Sequence, residues 1–359
     1  MEVISYTSLT LCSLAMAQAT APTDSHRCGV CSSNQKLLRC SKCKVMSYCC
    51  IEHQSTHHFI HKADCSNIAK KTKLLNYEDE RLRNFPGDSM TQEYPFINNV
   101  GHFWKIHETR DYMRARFGVV EALMKVKTFS STQFQLEHLM DMLRLCRSDN
   151  MGVRDLVPAV MLRLNRDQEC YDFIKWFCTV GQEDDYNWGN MKLGYLDVKD
   201  ADVFESVSYL VPTYTISLPH AASVVLLKIK LFLDFSTLET SINLDKRLPP
   251  EILGNIQGHV VRSLIIANDK DTMSRTSHTE TIAKLKNQIN TMYDVVHKQN
   301  AFFWPALLDP DRHLNSRSEA YSHGSVAEMQ LALKWCYDSW AETPGAIDFV
   351  KAKLAGKKG

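Results

Sequence analysis

Glycine is scarce in this chain, at 14 of 359 residues, and the few present do not gather into phosphate-cradling loops. Neither G-x-G-x-x-G nor G-x-x-x-x-G-K-[ST] occurs, which excludes the two common nucleotide-binding loops. H-E-x-x-H and G-x-S-x-G are also missing, and with them the zinc-peptidase and α/β-hydrolase signatures. Excess charge of one sign is lacking too. The formal net charge is +1, so the whole chain gives no polyelectrolyte signal for nucleic acid or membrane. No apolar run is long enough to span a bilayer. The most apolar internal stretch, Ala221–Phe235, is interrupted by Lys228 and Lys230 and falls short of the roughly 20 residues required. Period-two alternation never lasts beyond a few residues, which argues against an extended sheet.

Cysteine, by contrast, is concentrated. Seven of the 12 lie between Cys28 and Cys65; Cys12, Cys146, Cys170, Cys178 and Cys336 are scattered, the last four within apolar helical patterns. Paired C-x2-C steps with interleaved histidines read as metal, and isolated cysteines in apolar surroundings read as reduced packing residues. Both point to a reducing compartment, hence a cytoplasmic or nuclear protein. Residues 26–73 hold nine Lys/Arg against Glu52 and Asp64, a balance of +7 that leaves −6 for the rest. Metal-bound thiolates offset part of that local basicity, so it is read as compensation rather than a nucleic-acid patch. Residues 1–27 read as a disordered leader. Their uncharged stretch 3–23 and Ala17-Gln18-Ala19 resemble a signal peptide, but the start is Met-Glu and serines and threonines interrupt the apolar run.

The candidate ligands run Cys28-x2-Cys31-x8-Cys40-x2-Cys43-x5-Cys49-x3-His53-x7-His61-x3-Cys65. Zinc takes four nitrogen or sulfur ligands in a tetrahedron, so eight ligands imply two ions. A C-x2-C step suits a knuckle turn that brings both sulfurs to one ion. An x3 step places two ligands on one helical face at i, i+4. Cys50 is a spare thiol beside Cys49, and His57 and His58 are read as solvent-facing helix residues. Spacing establishes two sites without saying which pairs share an ion. With all four positions of each tetrahedron filled by protein, the ions are structural rather than catalytic.

This ligand order resembles the MYND zinc finger, as do Tyr48-Cys49, Gln54 after the sixth ligand and the final H-x3-C. The resemblance implies interleaved sites: Cys28, Cys31, Cys49 and His53 for one zinc, Cys40, Cys43, His61 and Cys65 for the other. It also implies a protein partner, in some relatives a proline-containing peptide held by Gln54 and by a tryptophan at the position that is His58 here. Segments 163–176, 193–201, 320–330 and 341–347 resemble a family of fungal MYND-finger proteins of about this length, which implies an α-helical body. The SET methyltransferase signatures carried by some MYND proteins are absent.

The remaining chain is patterned as helix. Residues 66–100 read as a short basic helix or linker ending in an irregular connection with Pro86-Gly87, Pro95 and Asn98-Asn99. An α-helical domain is expected over 101–355. Apolar residues recur at helical spacing from Phe103 to Met124, Phe134 to Cys146, Leu156 to Leu164 and Tyr171 to Cys178. These four runs suggest helical hairpins of tetratricopeptide-like kind. Further helices are expected near 219–235, 250–268, 277–299 and 325–341, the third opened by a Ser277/Glu280 capping box. Residues 181–200 read as a loop. The resulting expectation is a mainly α protein: a two-zinc finger and a helical body acting as a zinc-dependent protein-interaction adaptor, possible roles including transcriptional co-regulation, without catalysis. The rival is an enzyme of unrecognised helical type using the 163–190 region, where Arg166, Asp184 and Asp185 would have to converge. His220, after Pro219, has no identifiable nucleophile partner.

Overall fold

A computed structural model describes residues 26–89, 91–212, 216–244, 261–316 and 321–356. The leader up to residue 25, with Cys12 and the signal-like stretch, lies outside the described residues. So do residues 250–260 of the helix expected over 250–268, and Ala320.

The described chain is mainly helical. Its helices of seven or more residues are α1 (Ile51–Arg83), α2 (Arg110–Leu123), α3 (Phe129–Leu145), α4 (Val157–Arg163), α5 (Asp167–Cys178), α6 (Leu218–Leu244), α7 (Thr279–Gln299), α8 (Val326–Ala341) and α9 (Ala346–Gly356). Two short strands, β1 (Leu38–Arg39) and β2 (Ser47–Tyr48), pair antiparallel, with Leu38 opposite Tyr48 and Arg39 opposite Ser47. Shorter helical turns punctuate the connections, and among the described part of 250–268 only Leu264–Ala267 is helical.

The centre is α6. Ala221, Val224, Val225, Leu226, Leu227, Ile229 and Leu231 are all buried, so the helix is apolar around most of its circumference and must lie inside. α4, α5, α7, α8 and α9 pack on it. The two lysines that interrupt its apolar run are internal. Lys230 Nζ donates to Asp167 Oδ1 at 2.6 Å and to Asn165 Oδ1 at 3.2 Å. Lys228 Nζ donates to the Val203 carbonyl and stands 5.2 Å from the Tyr171 ring centre. Both therefore tie loops or neighbouring helices to the core.

Consecutive helices α2 to α5 pack on one another, but their lengths of 14, 17, 7 and 12 residues do not repeat a common unit. α7 starts at Thr279, not at a Ser277 cap. Glu239 of α6 reaches across to accept from the His278 amide at 2.5 Å and from the Ser277 hydroxyl, so a tertiary carboxylate supplies the acceptor a capping box would have given. α8 is capped as its sequence suggests, Ser325 Oγ accepting from the Glu328 amide at 3.1 Å. Gly345, at φ 84°, turns the chain after α8 into α9.

Residues 66–83 are not a separate linker element. They continue α1, which runs unbroken for 33 residues from the cysteine-rich segment onto α2. Its inward positions His61, Cys65, Ile68, Leu75 and Leu82 follow helical spacing, so one face carries metal ligands at one end and core residues at the other.

Candidate metal centre

Two knuckles of the same construction hold the C-x2-C pairs. In the first, the Ser32 amide donates to the Cys28 carbonyl at 3.1 Å. In the second, the Lys44 amide donates to the Cys40 carbonyl at 3.0 Å. The fifth residue of each turn is left-handed, Ser32 at φ 56° and Lys44 at φ 64°. The second knuckle lies in the connection between β1 and β2, and the Gly29 amide donates to the Ser47 carbonyl at 2.9 Å, seating the first knuckle on β2.

α1 supplies the other half of each site. Cys49 precedes it, and His53, His61 and Cys65 project from its inward face. The structure brings the eight residues together in two groups: Cys28, Cys31, Cys49 and His53, and Cys40, Cys43, His61 and Cys65. The donor atoms of each group lie within 4.8 Å of one another. First and third pairs meet, as do second and fourth, so the two sites cross-link the knuckles to the helix.

The distances suit zinc. A tetrahedron with metal–sulfur bonds of ~2.3 Å has edges of about 3.7 Å. Cys31 Sγ and Cys49 Sγ are 3.6 Å apart, and Cys40 Sγ and Cys65 Sγ 3.7 Å. Cys43 Sγ lies 3.3 Å from His61 Nε2, Cys28 Sγ 3.5 Å from His53 Nδ1, and Cys49 Sγ 3.1 Å from His53 Nδ1. The sulfur pairs are far outside disulfide length. The donor chemistry agrees. Burial and the neighbouring thiolates of Cys43 and Cys40 push the Cys65 thiol up to about 12, and the adjacent Cys31 sulfur does the same to Cys49. At Cys28 burial opposes ionisation, yet the amides of Cys31, Cys49 and Val30 outweigh it and bring the thiol down to about 6. A dication among these sulfurs converts their mutual repulsion into attraction. The module therefore has two zinc sites, each with three sulfurs and one imidazole nitrogen. The second group is wholly buried, whereas in the first Cys31 is exposed.

Cys50 stands at the N-cap of α1, outside both groups. His57 has a role its sequence position did not announce. Its Nδ1 and the Tyr48 hydroxyl hydrogen-bond at 3.0 Å, and its ring stacks on His61 at 6.0 Å. Tyr48 is buried, so this bond fastens β2 to α1 between the two sites. The signal available in the sequence was Tyr48 itself, a hydroxyl that needs a partner once buried. Gln54 and His58 are exposed on α1.

The helical body covers one side of the finger. Thr128 Oγ1 donates to the Val45 carbonyl at 2.7 Å and also accepts from the Ser131 amide, capping α3. Ser130 Oγ pairs with His26 Nδ1 at 2.8 Å, and the His26 ring meets Phe129 edge-on at 5.2 Å. Val45 and Met46 are buried accordingly.

The polar residues of 147–190 do not form one site. Arg163 forks onto Glu342 with two bonds of 2.8 Å, and Arg166 pairs with Glu169. Asp149 caps the turn at Val153 and Arg154, and Asp167 holds Lys230 and Ser263. Asp184 and Asp185 are exposed. Arg147 donates to the carbonyls of Asn190 and Leu193 and lies 4.9 Å from the Tyr195 ring centre, clamping the 186–197 loop, whose Tyr186, Trp188 and Tyr195 pack on Trp176. Arg166, Asp184 and Asp185 thus do not converge. His220 is buried, its Nε2 3.0 Å from the Arg154 carbonyl oxygen. A cavity of about 820 Å³ opens beside Asp155, Tyr321, His323, Glu328 and Trp335, but both carboxylates are engaged, Asp155 by Ser217 and Glu328 by the Gly324 amide and Asn300. Among the described residues no helix is long and apolar enough to cross a membrane.

No curated protein and no solved structure matches the chain. One family does: residues 26–65, the segment that carries all eight ligands, match the MYND finger.

Proposed function

We propose that this protein is a zinc-dependent protein-interaction adaptor whose finger presents α1 to a partner while the helical body anchors it. The observation that carries this reading is that both metal groups are complete with four protein donors. Such ions shape a surface rather than activate a water or a substrate. MYND fingers are protein-interaction modules, and the match over 26–65 supports that role here. Gln54 and His58, one turn apart and exposed, are the contact residues proposed for a proline-containing peptide. His58 offers a smaller ring face than the indole found there in relatives, so its grip on a proline ring is weaker. A co-regulatory role in transcription is a finer form of the same reading.

Affinity capture from cell extract with the full chain tests it, with Cys40→Ser as the comparison and zinc measured by mass spectrometry. The expected result is two zincs per wild-type chain, fewer in Cys40→Ser, and partners captured by wild type alone. Equal capture by both would overturn the role of the zinc-built surface.

A further inference from the structure

We propose that the outward face of α1 is a second docking surface, for an acidic helical segment of a partner protein carrying apolar residues at its ends. The proposal rests on the reading of the finger as a protein-binding module, but uses residues other than Gln54 and His58. α1 commits its inward stripe to the metal ligands and to the core against α2. Opposite that stripe stand Phe59, Lys62, Ser66, Lys70, Lys73 and Tyr77, at steps of three and four that keep them on one helical face. The stripe spans about 27 Å along the helix. Phe59 is 90% exposed and Tyr77 62%. Burial of one such ring against a partner is worth ~1.5–3 kcal/mol.

The charge of the stripe identifies its occupant. Lys62, Lys70 and Lys73 are exposed, and none has an ion pair or hydrogen bond among the described residues. Many exposed lysines elsewhere in the described chain are likewise unpaired, whereas Lys127, Lys175 and Lys230 each pair with a carboxylate; what sets Lys62, Lys70 and Lys73 apart is that they share one helical face. The stripe itself holds no carboxylate. Asp64 and Asp79 lie on the other side of the helix, and the nearest carboxylates on this face, Glu52 and Glu80, stand beyond Phe59 and Tyr77 at its two ends. Three unpaired cations between two exposed rings are complementary to carboxylates flanked by apolar side chains. A nucleic acid fits less well. Stacking platforms present rings to successive bases, whereas Phe59 and Tyr77 stand a full stripe apart. An anionic membrane also fits less well, because the middle of the stripe is polar and an interfacial helix needs a continuous apolar face.

The test uses the full zinc-loaded chain and fluorescence anisotropy with three labelled probes. They are a 20-residue helix with glutamates along its middle and leucines near its two ends, its Lys-for-Glu counterpart and a 20-nucleotide single-stranded DNA. The acidic helix should bind, the lysine helix should not, and the DNA should bind at least tenfold more weakly. Lys62→Glu/Lys70→Glu/Lys73→Glu should weaken acidic-helix binding at least tenfold and Phe59→Ala several-fold, with two zincs retained in both. Gln54→Ala/His58→Ala should leave that binding unchanged. Tighter DNA binding, no binding of the acidic helix, or binding undiminished by the triple charge reversal would overturn the surface assignment. So would self-association of the free chain by sedimentation that the triple variant abolishes, since a second copy would then be the occupant. None of those results touches the reading of the finger itself, which falls only if Cys40→Ser captures partners as wild type does.

Discussion

The finger and the body are stabilised in opposite ways. The finger has two two-residue strands, two knuckle turns and a few turns of helix, and its buried residues are largely the metal ligands and their immediate neighbours. Such a segment cannot bury enough apolar surface to offset its chain entropy, so the metal supplies its folding energy. The body instead buries its own apolar residues around α6, in a cluster continuous with Val45, Met46 and Tyr48 of the finger. The contrast teaches where each region is vulnerable: the finger to anything that removes a ligand, the body to anything that opens a void. α1 belongs to both, since one helix carries His61 and Cys65 and then Leu75 and Leu82.

Zinc removal should break the comparison most sharply. Structural zinc contributes on the order of 10–16 kcal/mol to folding of small zinc modules. All six tryptophans lie beyond residue 100, so tryptophan emission reports the body alone. Chelation should strip two zincs and reduce far-ultraviolet helicity slightly, while tryptophan emission stays unchanged. A red shift on chelation would mean that the two regions fold as one unit. The reciprocal perturbation is Trp340→Ala. Trp340 is fully buried, edge-on to Trp304 at 5.7 Å, and its loss should cost ~3–5 kcal/mol. Thermal denaturation should show the drop, and metal analysis should still find two zincs per chain.

Inside the body a smaller effect tests how dry the core is. Burial lowers the pKa of Lys228 from 10.5 to about 8, against the opposing pull of Asp202 and Glu205. Below pH 8 the amine is charged in both folded and unfolded chains, and the burial penalty on the folded state is complete. Between about 8 and 10.5 the unfolded chain binds more protons than the folded one, so stability rises with pH across that window. The rise attributable to this one group is on the order of 3 kcal/mol. Lys228→Met should remove it, and urea denaturation of both proteins at pH 7.5 and 10 gives the difference. Identical pH dependence in the two would show that water reaches the amine.

The regions also differed in how far their sequences could be read. The eight ligands announce themselves because zinc chemistry fixes residue type and local spacing: a knuckle needs C-x2-C, and a helical pair needs i, i+4. Which pairs share an ion depends on how α1 lies against the hairpin, a tertiary fact that spacing does not encode. His57 looked like a spare exposed histidine because its partner, the Tyr48 hydroxyl, is brought to it by that same packing. In the body, apolar periodicity marks the helices, yet the start of α7 is set by Glu239 from a distant helix, against the local Ser277/Glu280 signal. The charged residues of 147–167 are neighbours in sequence. Each faces a different joint, and only the fold shows that Arg163 meets Glu342.

The smallest perturbation tests the joint itself. Thr128 serves both regions at once, its hydroxyl capping α3 and donating to the Val45 carbonyl of the finger. Thr128→Val keeps the shape and removes both bonds, at a cost of ~1–2 kcal/mol from the lost cap and the buried carbonyl left without its donor. Where that cost appears is informative. If the finger depends on the body for its orientation alone, zinc transfer to a chromogenic chelator should proceed at the wild-type rate while the melting temperature falls by a few degrees. If the body also holds the second knuckle closed, zinc release should quicken several-fold, because Val45 lies two residues past the ligand Cys43. We expect the second outcome: Val45 and Cys43 are both buried, and a loosened Val45 leads back along two residues to the sulfur. Thr128→Ser, which keeps the hydroxyl, should restore the wild-type rate.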